Sequence, residues 1–195
     1  MTSSAAHFTP VPTKWVGPIK LIGDVVNDEV SVPLATYETP LWPSTGRGAR
    51  VSQKAGGIRC TIVDERMTRS VALRAANAAA AKQASDEIEN RFEELAQIVT
   101  TTSRFAQLIA VNRQIVGNLL YLRFECSTGD ASGHNMVTKA ADVLLTWLLQ
   151  QYPSLSYSTI SGNFCTDKKT SAVNGILGRG KYVVAEIEIS RTLCK

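Results

Sequence analysis

Between residues 71 and 160 the sequence reads strand, helix, strand, strand, helix, strand. That is the order of a split βαβ, or ferredoxin-like, unit, and the predicted fold class is therefore α+β. Two flanking observations extend the prediction. Residues 14–70 are rich in Pro, Gly, Val and Thr and have little helical period, so they predict short strands and loops. Residues 182–189 alternate, with Val183, Ala185, Ile187 and Ile189 on one side and Glu186 and Glu188 on the other. This predicts a half-buried strand whose partners lie outside the unit. The ferredoxin-like unit is thus expected between two flanking segments, 14–70 and 161–195, that do not belong to it.

Residues 1–13 are small, polar and Pro-containing, which predicts a flexible tail. Residues 71–74 are a short strand candidate. A single helix is expected over 77–100, where Ile88, Phe92, Leu95 and Ile98 follow one another at helical spacing. Asp86, Glu87, Glu89, Glu93 and Glu94 mostly occupy its other face. Residues 104–111 and 118–126 read as two strands around a turn near 112–117. In the second, Leu120, Leu122, Phe124 and Cys126 share one face, while Leu119, Tyr121, Arg123 and Glu125 share the other. Val137, Ala141, Leu144 and Leu148 place a second helix at about 135–151, and 155–160 reads as a strand.

Several classes are disfavoured at once. A net charge of +4 suits polyanionic small molecules and is too weak to argue for nucleic acid. Cys60, Cys126, Cys165 and Cys194 are widely spaced with no CxxC, so they read as reduced thiols of a cytoplasmic protein rather than zinc ligands or disulfides. The densest apolar run, 143–149, is interrupted by Thr146 and falls short of the roughly 18 residues of a membrane span. No signal-peptide pattern opens the chain. His7 in the tail and His134 in a turn do not suggest a metal site, and HExxH, GxSxG and GxGxxG are all absent.

Three segments could carry chemistry. Ser127-Thr-Gly-Asp-Ala-Ser-Gly-His-Asn135 lies between a strand and a helix. Gly129 and Gly133 permit close backbone approach, and the helix N-terminus offers N–H groups and a positive dipole end to a phosphate. The competing reading is a plain turn with Asp130 or Ser132 as the helix cap. Ser161-Gly-Asn-Phe-Cys-Thr-Asp-Lys-Lys169 puts small polar groups and two lysines after an apolar strand. A lysine there could stabilise an oxyanion, although a solvated basic loop is the simpler account. Glu38, at the end of an apolar strand, could donate a proton if desolvated, but most such acids are exposed. Arg47, Arg50, Arg69 and Arg104 are candidate carboxylate or phosphate clamps.

Taken in order, these segments resemble the 3-hydroxy-3-methylglutaryl-CoA reductase family in its NADPH-using class. The matching stretches are VPLATYE at 32–38, STGRGAR at 44–50, RMTR at 66–69, TSRFA at 102–106 and NLLYLRF at 118–124. They continue with GDASGHNM at 129–136, SGNFCTDKK at 161–169 and GRGKYVV at 178–184. The resemblance covers about residues 14–190, and the dilysine segment is its most specific part.

The resemblance implies a ferredoxin-like NADP-binding domain at 71–160, inserted in part of a larger α+β substrate domain for coenzyme A and the hydroxymethylglutaryl group at 14–70 and 161–195. It implies two hydride transfers from two NADPH, giving mevalonate and free coenzyme A. Glu38 matches a catalytic proton donor, and Lys168 the lysine that stabilises the oxyanion. Lys169, Arg69 and Ser161 match groups holding the hydroxymethylglutaryl carboxylate, while Ser44 and Arg47 match coenzyme A contacts. Ser103, Arg104, Asp130, Ala131, Gly133 and Asn135 match NADPH contacts, with Arg104 the candidate for the 2′-phosphate. It further implies a homodimer or higher oligomer.

The chain departs from the family pattern at Thr39-Pro40, Trp42-Pro43, Gly46, Ser132, His134 and Thr170-Ser171. The first two bear on the pose of Glu38 and on the acyl-CoA site. The family's catalytic aspartate and histidine lie beyond the dilysine loop and past Lys195, so the expectation is an incomplete chain, inactive by itself unless a second chain supplies them. The alternative is a non-catalytic half that binds NADPH or coenzyme A, or a partner subunit. An RNA-binding ferredoxin-like domain is disfavoured because Tyr121 and Phe124 point to opposite faces.

Overall fold

The computed structural model describes residues 8–166 and 169–195, and its class is α+β. The chain divides into two compact units. One holds the chain up to Ile62 and again from Val183; the other is Val63–Tyr182.

In the first unit β1 (Thr13–Gly23) pairs antiparallel with β2 (Asn27–Ala35), with a register slip between Val16 and Ile19. The end of β1 runs parallel to the start of β3 (Ile58–Arg74), from Leu21↔Ile58 to Gly23↔Cys60. A Cβ on Gly23 would lie 2.7 Å from the Cys60 carbonyl oxygen, so this approach requires glycine. Between β2 and β3 lies α1 (Leu41–Lys54), where strands and loops were expected. The helix escapes a periodicity search because its buried residues are Ala49 and Ser52, too small to make an apolar stripe, and because Gly46 and Gly48 dilute it. Pro43 sits in the first turn, where its missing N–H costs no helical bond. The Ser52 hydroxyl pins α1 to β1 by accepting from the Lys20 N–H (3.2 Å) and donating to the Ala49 carbonyl (2.7 Å).

The second unit carries a sheet in the order β4–β5–β3–β6, antiparallel at each pairing. Its strands are β4 (Gln107–Val116), β5 (Leu119–Ser127) and β6 (Ser156–Ile160), with the second part of β3 between β5 and β6. Leu73, Leu120, Leu122 and Phe124 from the sheet, with Val137, Ala141, Leu144 and Leu148 from α4 (His134–Gln151), form one buried core. The predicted apolar face of β5 and the apolar stripe of the second helix are therefore both buried in this core. The hairpin turn is Gly117–Asn118, later than expected, since Val116 pairs with Leu119. Gly117 takes φ +60, the left-handed first position that short hairpins favour.

The single helix expected over 77–100 is two, α2 (Ala78–Glu89) and α3 (Phe92–Thr102). At Asn90 the backbone N–H and the side-chain Nδ2 both return to the Asp86 carbonyl, and Arg91 leaves helical geometry at φ −108, ψ 25. Ile88 and Leu95 stay buried across the break, so the apolar phase hides it. Asn77 caps α2 by accepting from the Ala80 N–H at 2.9 Å. Asn77→Ala is expected to cost about 1 kcal/mol in urea unfolding.

The remaining elements are α5 (Ala172–Leu177) and β7 (Gly180–Glu186), which pairs with β3. The strand expected over 182–189 ends at Glu186, and Val183, Val184, Ile187 and Ile189 are exposed rather than half-buried. Alternation shows which side chains share a face, not what covers it. The strand candidate at 71–74 is the tail of the 17-residue β3. Among the described residues no helix is long and apolar enough to cross a membrane, and no cluster of potential metal ligands occurs.

Candidate functional site

The β5–α4 turn is built on Thr128 and Gly133, both buried. The Thr128 hydroxyl donates to the Ala131 carbonyl at 2.8 Å. Gly133 takes φ +80, and a Cβ there would sit 2.5 Å from Thr128 Cγ2. Gly133 is itself the N-cap of α4, which has no side-chain cap and no acid in its first turn. Neither Asp130 nor Ser132 caps the helix, so the plain-turn reading fails on that point. The helix end keeps its positive dipole unneutralised by its own first turn. Beside it lies a cavity of about 330 Å³ whose lining includes Met67, Asp130, Ala131, Ser132 and His134. Asp130, Ala131 and Asn135 are exposed; Asn135 is the second residue of α4 and does not line the cavity.

Ser103 and Arg104 follow α3 directly. The pairing Gln107↔Ser127 puts this link at the same end of the sheet as the glycine turn. The Ser103 hydroxyl accepts from the Phe105 N–H at 3.2 Å. The exposed Arg104 guanidinium lies 4.7 Å over the Phe105 ring, a stacked cation on a half-exposed aromatic.

The loop after β6 is conformationally unusual. Ser161, Gly162, Asn163 and Thr166 have φ of 96, 54, 58 and 45, a run of left-handed residues of the kind that collects at ligand sites. It is held by the Ser161 N–H donating to the Ser70 carbonyl (2.6 Å) and by the Ser70 hydroxyl donating back to the Ser161 carbonyl. Cys165 is buried beneath it, with Sγ 3.7 Å from the Ser161 hydroxyl. Lys168 lies outside the described residues. Lys169 is exposed, its N–H donating to the Thr166 carbonyl at 3.0 Å and its carbonyl accepting from Asn174 Nδ2 at 3.2 Å. Arg69, half-buried on β3 beside Ser70, donates from Nε to the Thr138 hydroxyl of α4 at 2.9 Å. Arg69 and Ser161 are thus brought to neighbouring positions through Ser70.

In the first unit Glu38 is exposed in the β2–α1 link, three residues past the strand rather than at its end. Its N–H donates to the Thr36 hydroxyl at 2.9 Å, and its carbonyl accepts from the Leu41 N–H at 3.0 Å. Ser44 and Arg47 are exposed on α1. Arg47 lines a cavity of about 450 Å³ with Lys14, Arg50, Trp15 and Trp42, and none of the described residues lining it is acidic. Trp42 Nε1 donates to the Leu34 carbonyl at 2.9 Å, and Lys14 Nζ lies 6.0 Å above its ring.

Two features escaped the sequence reading. Arg123 and Glu125 share a β5 face as predicted, yet both are fully buried. Glu125 accepts from Arg66 NH1 (2.6 Å), Asn112 Nδ2 (2.7 Å) and Arg123 NH1, and Arg123 NH2 reaches the Gly178 carbonyl at 2.6 Å. Burial pushes the Arg123 guanidinium down to about 10; Cys165 opposes the shift, and the cations Arg66 and Arg179 add to it. An alternating pattern with charges on one face reads as a solvated face, so nothing local signals this cluster. The second feature is Lys181, whose Nζ meets Glu65 (2.8 Å) and the Gly129 carbonyl (2.9 Å).

Comparison with known proteins gives a consistent answer. The sequence profile described as hydroxymethylglutaryl-coenzyme A reductase matches residues 7–195. The 3-hydroxy-3-methylglutaryl-coenzyme A reductase of Pyrococcus horikoshii is 41% identical over 184 residues, covering 94% of this chain and 45% of that protein. Reductase 2 of Solanum tuberosum is 41% identical over 190 residues, covering 96% of this chain and 31% of its own length. Among solved structures, the class II 3-hydroxy-3-methylglutaryl-CoA reductase of Streptococcus pneumoniae bound to NADPH in open conformations aligns with a TM-score of 0.72 at 19% identity. That alignment covers 100% of this chain and 44% of the other, and at such identity it shows the shared fold. The chain spans less than half the length of these relatives, and it belongs to the hydroxymethylglutaryl-coenzyme A reductase family.

Proposed function

We propose that this chain is part of an NADPH-dependent hydroxymethylglutaryl-CoA reductase that converts hydroxymethylglutaryl-CoA to mevalonate and coenzyme A in the cytoplasm. The observation that carries the cofactor reading is the start of α4: a glycine N-cap, no side-chain cap, no acid in the first turn and a cavity alongside. These features fit a pyrophosphate, since the helix end supplies N–H donors and a Cβ on Gly129 would meet nothing within 4 Å. When bound, NADPH supplies the two hydrides. The chain's part is to hold it: Asp130, Ala131, Gly133 and Asn135 around the turn, and Ser103 and Arg104 from the adjoining link. The strand order β4–β5–β3–β6 supports a ferredoxin-like NADP-binding domain, assigned to 71–160, within a partial substrate domain at 14–70 and 161–195.

On the substrate side Arg69, Ser161 and Lys169 bind the hydroxymethylglutaryl carboxylate, Lys168 stabilises the developing oxyanion, and Glu38 donates a proton. Ser44 and Arg47 hold coenzyme A, and the cationic cavity beside Arg47, with no acid among its described lining residues, supports a polyanionic ligand there. The working form is a homodimer or higher oligomer, with the catalytic Asp and His supplied by residues outside this chain. The second reading, a half that binds NADPH or coenzyme A without turnover, draws support from the exposed Glu38 and the Thr39-Pro40 departure beside it.

The test is NADPH oxidation on addition of hydroxymethylglutaryl-CoA, with the intact mass of the purified protein measured in parallel. Substrate-dependent oxidation with a larger mass or a second polypeptide supports the reductase; a mass matching 195 residues with NADPH binding and no oxidation supports the binding half; absence of both oxidation and binding removes both. Arg104→Ala is expected to weaken NADPH by about tenfold and NADH by less than about twofold, the loss of one charge-assisted phosphate contact. Equal loss for the two cofactors in fluorescence titrations would exclude Arg104 as the 2′-phosphate ligand.

A further inference from the structure

We propose that Lys181 is a positioning residue for the phosphate end of the cofactor site, acting through Gly129. This rests on the cofactor reading above. Lys181 opens β7 next to Gly180 and reaches two other elements. Its Nζ lies 2.8 Å from Glu65 Oε1 on β3 and donates to the Gly129 carbonyl in the β5–α4 turn at 2.9 Å. Gly129 takes φ +58 and is the residue from which the backbone enters the Asp130–Gly133 stretch. A cation on its carbonyl fixes that peptide plane, and with it the approach of the turn to the helix end.

The electrostatics point the same way. Glu65, Met67, Thr128, Asp130, Ala131, Ser132, His134, Gly180 and Lys181 line the cavity. Among these described lining residues, setting His134 aside, the charged groups are the acids Glu65 and Asp130 and the cation Lys181. Without Lys181 no lining cation would offset the two carboxylates facing an incoming pyrophosphate, leaving the half-charge of the helix end and Arg179, whose guanidinium lies 3.5 Å from His134 Nε2. An ammonium has three N–H donors, so Lys181 can hold Glu65 and the Gly129 carbonyl at the same time. Lys181 is 39% exposed and Glu65 32%, so the pair is wet enough to exchange partners when an anion arrives.

The experiment is titration of the purified protein with NADPH, followed by cofactor fluorescence, with thermal midpoints recorded for each variant. Lys181→Met is expected to weaken NADPH by about tenfold with little change in midpoint, while Lys181→Arg stays within about threefold because it keeps charge and donor. Glu65→Gln removes an acid and keeps the Gly129 tether, so NADPH should bind as well as before or more tightly. Lys181→Met binding like the parent, or Met and Arg variants failing equally, would overturn the proposal. Should Lys181→Met not fold, Glu65→Gln decides: a tenfold loss there overturns it, and unchanged or tighter binding supports it. A parent that does not bind NADPH removes the cofactor reading and this inference together, whereas a parent that binds with an indifferent Lys181→Met removes this inference alone.

Discussion

Glu125→Ala is expected to lower the free energy of unfolding by about 3–5 kcal/mol, the cost of breaking a buried ion pair from one side. The carboxylate accepts from Arg66, Asn112 and Arg123 and has no exposure of its own. Its loss strands the Arg123 guanidinium, fully buried, with the Gly178 carbonyl as its remaining hydrogen-bond partner among the described residues. Burial lowers the Arg123 pKa to about 10 in the intact cluster, and a guanidinium keeps its proton in proteins at neutral pH, so the group cannot escape by neutralising. Arg123 Nε is already buried without a hydrogen-bond partner, so the site has no spare acceptor to offer. Replacing both residues together, Arg123→Met with Glu125→Leu, should recover most of the loss. Urea unfolding of the three variants measures this. A loss below about 1 kcal/mol for Glu125→Ala would mean that the cluster behaves as an exposed pair.

Gly133→Ala is expected to cost about 2–4 kcal/mol of stability and to weaken NADPH by more than tenfold. Two physical terms add at this residue. Its φ of +80 disfavours any L side chain, and the new Cβ would fall within 2.8 Å of three Thr128 side-chain atoms. Thr128 cannot step aside cheaply, because it is buried and its hydroxyl is committed to Ala131. Gly129→Ala is the internal control: its φ is +58 but the Cβ meets nothing within 4 Å, so only the backbone term of about 1 kcal/mol applies. If the two variants prove equally stable and bind NADPH equally well, close packing of Gly133 on Thr128 does not shape the turn.

The parts of the fold legible in the sequence were those with a single dominant period. The alternation of Leu120, Leu122, Phe124 and Cys126 and the stripe of Val137, Ala141, Leu144 and Leu148 both became buried faces. Periodicity failed where burial uses small residues, as at Ala49 and Ser52 of α1, and where a break preserves phase, as at Asn90–Arg91. It also failed for the Arg123–Glu125 face, because a charged alternation looks the same whether water or protein covers it. For the candidate site, motif order placed the glycine turn and the Ser161 loop, and the register Gln107↔Ser127 brings Ser103 and Arg104 to the end of the sheet that holds the turn. Lys181 was not legible, since its meaning comes from contacts with Glu65 and Gly129 that are remote in the chain.

An 18-residue helix that begins on a bare glycine has consequences for folding as well as for recognition. With no side chain to close its first turn, α4 should fray from that end, and its leading amides should exchange with solvent faster than those of its middle. An anion seated there would act as the absent cap. Dinucleotide concentration then becomes a folding variable: at a hundred times the dissociation constant the native state gains about 2.7 kcal/mol by mass action. The gain should be visible first as slowed exchange at His134, Asn135 and Met136, so that saturation with ligand and completion of the helix are one event.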